Sequence, residues 1–324
     1  MKNAYYSYDI TKMINVVLFI IQSFGNKIHL LLLNKLLYTA DIMHLSRYGY
    51  FITRDRYILM KTGLVPANSY FLYLQLIEDN SWLTLRYNVR EFFFIKGNYI
   101  CCHQKYDGDV LSASEVSCLF EAIRIYKQEG AVFLSKPPAY NMLAANPVFN
   151  ELTILDVAKA IGLSNEMYRY IFTCVGAELF GMDDDNTSKL NSKKISILSA
   201  VSVGTVIREH HSGYLNIIVG ISPAQYSFLK IFDAENLSHK DFYKDLSASF
   251  YTFKEQYSFL KGTEWVNCSQ LHAISHDGLY QWLKAHPEHI LGGASAGDVG
   301  IIHSLLHHSP TIPLKAKEEL LVNI

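Results

Sequence analysis

KLLYTADIMHLSRYGYFITRDRYILMKTGLVPANSY, residues 35–70, is the stretch that decides the fold of the first part of the chain. Leu36, Leu37, Ala40 and Leu45 recur at helical spacing, with Lys35, Tyr38, Asp41, His44 and Arg47 set among them. Gly49 marks the expected end of that helix, because glycine takes the left-handed C-cap conformation without a Cβ penalty. Residues 52–57 then read as a short extended arm, and Gly63-Leu64-Val65-Pro66 as the turn into a further helix.

Working outward, the apolar spacing predicts helices over residues 10–24, 28–47 and 67–77. Between residues 82 and 104 the period changes. Leu83, Leu85, Tyr87 and Val89 alternate with their neighbours, Phe92 opens an apolar run, and Lys96-Gly97-Asn98 separates it from the run at Tyr99, which predicts strand, turn, strand. Ser112 followed by Glu115 has the spacing of a capping box and opens a helix whose apolar face is Val116, Leu119, Ile123 and Tyr126.

Residues 35–66 resemble the Panacea domain of SocA-like antitoxins. The hallmark is a Lys-Leu-Leu-Tyr-x-Ala-Asp helix running through Tyr-Gly to an Ile-Thr-x-Asp-x-Tyr arm and a Gly-x-Val-Pro turn, and each of those residues stands here from Lys35 to Pro66. The resemblance covers at most the first 130 or so residues. It implies helices, a small sheet and a closing helix, and a module that binds and neutralises a cognate protein toxin, in some members as an adaptor toward a protease system. It implies neither a catalytic set nor a cofactor. The departure from the family's pattern is length, since this chain continues for a further extension of similar size.

The composition is that of a chain with ample core: half the residues are apolar, 18% are charged, and the formal net charge is −1. That balance does not suit a protein built to coat nucleic acid, which is not expected as a partner. The five cysteines show no CxxC spacing, so a reducing, cytoplasmic setting is expected. The apolar run 16–21 stops at Gln22, short of the about 20 apolar residues a membrane span requires, and no membrane association is expected.

The organisation expected is a domain over residues 1–130, a linker over 131–150 containing Pro137, Pro138 and Pro147, and an extension over 151–324. In the extension, helices are expected over 153–180, an acidic loop at 183–186, strands near 195–207 and 214–221, and mostly helix thereafter. The fold class expected is α+β and mainly helical: an N-terminal helical domain with a small antiparallel sheet, and a C-terminal mixed α/β extension.

Four constellations carry candidate chemistry. First, Lys35, Tyr38, Asp41, His44, Arg47, Thr53, Asp55, Tyr57, Gly63 and Pro66 have two readings. Their charges tie the helix to the arm, Asp41 or Asp55 pairing Arg47 or Arg56, or they line a groove where a partner docks. Second, residues 153–171 have the form of a helix-turn-helix with Gly162 at the turn. Ser164, Asn165 and Arg169 are the candidate DNA contacts, although Arg169 is the lone base on the second helix. Third, residues 293–297, GASAG, match the nucleophile-elbow pattern at Ser295, but only 27 residues follow Gly297, too few to carry a partner acid or base. Fourth, seven of the thirteen histidines lie between His272 and His308. His272/His276 and His303/His307 share the i,i+4 spacing that a helical metal site uses, with Asp277, Glu288 or Asp298 as a third ligand, but the ligand set is incomplete and no metal is expected.

The function expected is therefore an antitoxin-like, non-catalytic protein-binding module that neutralises a cognate toxin. Two alternatives remain: a C-terminal effector enzyme, hydrolase or metal-dependent, fused to the module, and a helix-turn-helix transcriptional regulator.

Overall fold

The structure is a computed structural model and describes residues 9–60, 63–77, 88–130, 132–133, 151–178, 197–209, 213–233, 249–253 and 256–321. The chain divides into two compact units, Met1–Ile171 and Phe172–Ile324. The first is helical with small antiparallel sheets, and the second is sheet-rich with helices packed on it.

In the first unit, α1 (Ile10–Gln22) opens at Asp9, whose side chain accepts from the Lys12 N–H. Strand β1 (Lys27–His29) leads directly into α2 (Leu30–Tyr48), so residues 28 and 29 are strand where the sequence predicts helix. Ile28 fits either period. Pairing with β5 (Tyr99–Cys102) puts it opposite Ile100 in the core, and His29 Nδ1 caps α2 at the Leu31 N–H. Gly49 ends α2 as expected, at φ 79°.

Strand β2 (Tyr57–Met60) pairs antiparallel with β3 (Gly63–Pro66), and α3 (Ala67–Ile77) follows at once. The expected Gly63–Pro66 turn is thus the second strand of a hairpin, and residues 61–62 lie outside the described residues. Strand β4 (Phe93–Lys96) completes the sheet β1-β5-β4, with Gly97 at φ 61° in the tight turn to β5. The first part of the predicted strand, residues 82–87, and most of the predicted linker, 131 and 134–150, also lie outside the described residues. Helix α4 (Ala113–Glu129) starts with both hydrogen bonds of the Ser112/Glu115 capping box. The core of this unit gathers Phe19, Ile20, Leu33, Leu36, Leu37, Ile52, Leu119 and Ile123.

Residues 151–171 belong to this first unit. Strand β6 (Glu151–Leu152) pairs with β2, and α5 (Ile154–Ala160) and α6 (Asn165–Glu178) follow around Gly162 at φ 70°. Met167, Tyr170 and Ile171 of α6 are buried.

The second unit departs most from expectation. Strands β7 (Thr205–Arg208), β8 (Leu215–Ile221), β9 (Gln225–Asp233), β10 (Phe250–Thr252), β11 (Glu264–Asn267), β12 (His272–Ser275) and β13 (Ile290–Gly293) form one seven-stranded antiparallel sheet. Its order is β10-β11-β9-β8-β7-β13, with β12 also on β9. Residues 197–199 are a helical turn where strand was expected. Helix α7 (His276–Leu283) packs on the face that carries Ile207, Ile218 and Phe228. Helices α8 (Ala296–His308) and α9 (Leu314–Leu321) pack on the opposite face, with Val206, Ile217 and Leu229. Since both faces are covered, both sets of side chains are apolar, which removes the alternation by which a half-exposed strand is recognised. The acidic loop at 183–186 lies outside the described residues.

Gly49 yields a direct test of the packing in the first unit. A Cβ there would meet the Tyr170 ring, with Cδ1 at 2.6 Å, and its positive φ already disfavours an L side chain. Gly49→Ala should destabilise the protein by about 1–3 kcal/mol, read as a lowered urea midpoint. An unchanged midpoint would contradict this packing.

Candidate partner-binding module

The motif residues converge on the inside of the first unit. Asp41, on α2, is fully buried, and its carboxylate accepts from Thr53 N–H at 3.0 Å, Thr53 Oγ1 at 2.5 Å and Tyr57 Oη at 2.7 Å. A buried carboxylate needs such donors, because its desolvation is otherwise uncompensated. Burial pushes the Asp41 carboxyl up to about 7, against the downward pull of those bonds.

Asp55 does a second task. Its carboxylate accepts from Asn68 N–H at 3.1 Å and Ser69 N–H at 3.1 Å in the first turn of α3, and from Arg56 N–H at 2.8 Å. A carboxylate there satisfies orphan helix donors and complements the positive end of the helix dipole. Burial raises it to about 6, opposed by the same backbone bonds.

His44, also fully buried, joins α2 to the start of α4. Nδ1 lies 2.9 Å from the Tyr50 carbonyl oxygen and Nε2 lies 3.0 Å from Ser114 Oγ. A carbonyl can only accept, which places the proton on Nδ1. Burial depresses the ring to about 4, so it is neutral near pH 7. Alongside it, Lys12 of α1 and Glu115 of α4 form a buried ion pair at 2.5 Å. Burial acts to raise the Glu115 carboxyl, but the Lys12 charge and the Lys12 and Ser112 hydrogen bonds outweigh it and leave the carboxyl below its usual range.

Of the ten residues singled out in the sequence, Tyr38, Asp41, His44, Thr53, Asp55, Tyr57 and Pro66 are therefore buried, where they hold the module together. The expected ion pairs take different partners. Arg47 bonds Glu121 of α4 at 2.8 Å, and the two aspartates bond hydroxyls and backbone amides instead of arginines. Lys35 and Arg47 are half-buried and reach solvent. Gly63 lies in β3, opposite Met60.

Sequence periodicity did not single out the surface that the module presents. On the outer face of the β1-β5-β4 sheet, Phe94 pairs across from Cys101, and Tyr99 from Lys96 and His29. Phe94 and Tyr99 are 39% and 40% exposed, Lys27 Nζ stands 4.1 Å over the Tyr99 ring, and His103 stacks on Phe94.

The other constellations resolve as follows. Ser164 caps α6 through the Met167 N–H, while Asn165 and Arg169 are exposed. Ser295 is the N-cap of α8, accepting from Asp298 N–H and donating to its carboxylate at 3.2 Å each. Tyr251 and Tyr257 donate to the same carboxylate, and Tyr257 Oη accepts from Ser295 N–H. The GASAG loop is thus a helix start organised around Asp298. Neither histidine pair belongs to a group of three converging ligand atoms among the described residues. His272 is in β12 and His276 opens α7, where its Nε2 bonds the Ser222 carbonyl, and His303 Nε2 bonds that of Val219. All five cysteines are free thiols. Among the described residues, no helix is long and apolar enough to cross a membrane.

Residues 33–136 match the family model described as antitoxin SocA-like, Panacea domain. This agrees with the resemblance carried by residues 35–66, which implied a domain reaching about residue 130 with a closing helix. No curated protein and no solved structure matches the chain.

Because its folded carboxyl is raised to about 7, Asp41 holds its proton more tightly in the folded than in the unfolded chain. That contribution is complete below about pH 4 and is lost as pH rises through about 7. His44, depressed to about 4, has the opposite sign and costs stability as pH falls from about 6.5 to about 4. Comparing wild type with Asp41→Asn isolates the first term. The wild type's stability advantage should shrink by on the order of 2 kcal/mol between pH 5 and pH 8, measured by urea unfolding at both values. An equal difference at both pH values would contradict the buried carboxyl.

Proposed function

We propose that the protein is an antitoxin-like binding module that neutralises a cognate protein toxin by direct, stoichiometric association through its first unit. The observation that carries this reading is the Panacea-domain match over residues 33–136, together with the closed network that the motif residues make inside the unit. With the motif turned inward, binding falls to the surface. The outer face of the β1-β5-β4 sheet offers Phe94 and Tyr99 as anchors, with Lys27 and Lys96 to engage carboxylates on the toxin. Lys35 and Arg47 contribute from α2.

The test is co-expression with the product of the adjacent gene. The full chain, and a fragment carrying residues 1–171, should relieve its toxicity and co-purify with it. Phe94→Ala combined with Tyr99→Ala should weaken the complex at least about tenfold while leaving the melting temperature unchanged. Failure of the full chain to relieve toxicity or to co-purify would refute the antitoxin reading. Rescue by the full chain but not by the folded fragment would move the binding site to the second unit.

A further inference from the structure

The turn between α7 and β13 gathers three metal-ligating side chains. Lys284-Ala285-His286-Pro287-Glu288-His289 leaves the C-terminus of α7 and enters the 3₁₀ turn Pro287–His289. Among the described residues, His286, Glu288 and His289 form the one group whose ligand atoms, two imidazole nitrogens and a carboxylate oxygen, all lie within 4.8 Å of one another. His286 Nδ1 is 2.9 Å from Glu288 Oε1, and the two imidazoles stack at 5.0 Å with their planes 17° apart.

We propose that His286, Glu288 and His289 bind a divalent transition-metal ion of the zinc class. Two nitrogens and one carboxylate oxygen are the donor set borderline ions prefer, whereas magnesium and calcium take oxygen ligands. A tetrahedral ion with bonds of about 2.0–2.1 Å places its ligand atoms a little over 3 Å apart. The ligand atoms must close from within 4.8 Å to that spacing, and His286 and Glu288, 37% and 65% exposed, have room to rotate. The backbone beneath them is set in advance. Pro287 fixes φ at the first position of the turn, His286 N–H bonds the Leu283 carbonyl at 3.2 Å, and His289 N–H bonds that of His286 at 3.0 Å. The ion clips the end of α7 to the start of β13 and so stabilises the second unit. The site stands apart from the toxin-binding reading and survives its failure.

Calorimetric titration of the untagged full chain with ZnCl₂ and with MgCl₂ at pH 7.5 tests it. One equivalent of zinc should bind saturably and raise the melting temperature, and magnesium should do neither. Binding should be lost in His286→Ala and in His289→Ala and retained in His308→Ala. Glu288→Gln, at the most exposed ligand, should weaken it at least about tenfold, which covers the case in which a histidine variant folds poorly. No saturable zinc binding, binding that persists in both histidine variants and in Glu288→Gln, or equal binding of magnesium would each overturn the proposal.

Discussion

A carboxylate in an apolar interior is the constraint on which the first unit depends. Asp41 projects from α2 into a core of leucine, isoleucine and aromatic side chains with no exposed surface of its own. It is tolerable there only because the chain returns, twelve to sixteen residues later, to supply Thr53 and Tyr57 as donors. That requirement fixes the irregular path after Gly49, and Asp55 then finds itself beneath the first turn of α3, where open N–H groups await an acceptor. One buried charge thus sets the path of the arm, and the arm sets the start of the next helix. The Lys12–Glu115 pair repeats the logic across a much longer stretch of chain, joining α1 to α4. Breaking the Lys12–Glu115 pair strands an uncompensated buried charge, which costs far more than an exposed ion pair contributes, and removing Thr53 or Tyr57 leaves the buried Asp41 carboxyl without its donors.

The local features of this unit were legible because they have local causes. Gly49 as a left-handed cap, the Ser112/Glu115 capping box, the bounds of α3 and the glycine turn before β5 all act within a few residues. What the polar motif residues do was not legible in the same way. Helical spacing shows that Asp41 and His44 sit among apolar neighbours, but not that their partners are Thr53, Tyr57, Tyr50 and Ser114. The resemblance supplied the domain, and the geometry supplied the reason its residues are needed.

The second unit was hidden by its own burial. Gln225–Asp233 reads as an apolar run with scattered polar groups, because Phe228 faces one helical layer and Leu229 and Ile231 the other. A strand covered on both sides loses the period of two, so the expectation of mostly helix after residue 221 misses the strands that the structure has there. The GASAG loop and the paired histidines were visible as patterns, yet Ser295 proves to be a helix cap, and His276 and His303 bond carbonyls. The group that does converge, His286 with Glu288 and His289, has no helical spacing and depends on a proline-set 3₁₀ turn.

If the motif is internal scaffolding, residues 52–56 should behave as core although they form no regular secondary structure. Hydrogen–deuterium exchange of the full chain measures this most directly. The N–H groups of Thr53, Asp55 and Arg56, held by the Asp41 carboxylate, the Thr53 hydroxyl and the Asp55 carboxylate, should exchange as slowly as the interior of α2. Exchange of this segment at the rate of an open loop, while α2 remains protected, would contradict the buried-carboxylate framework.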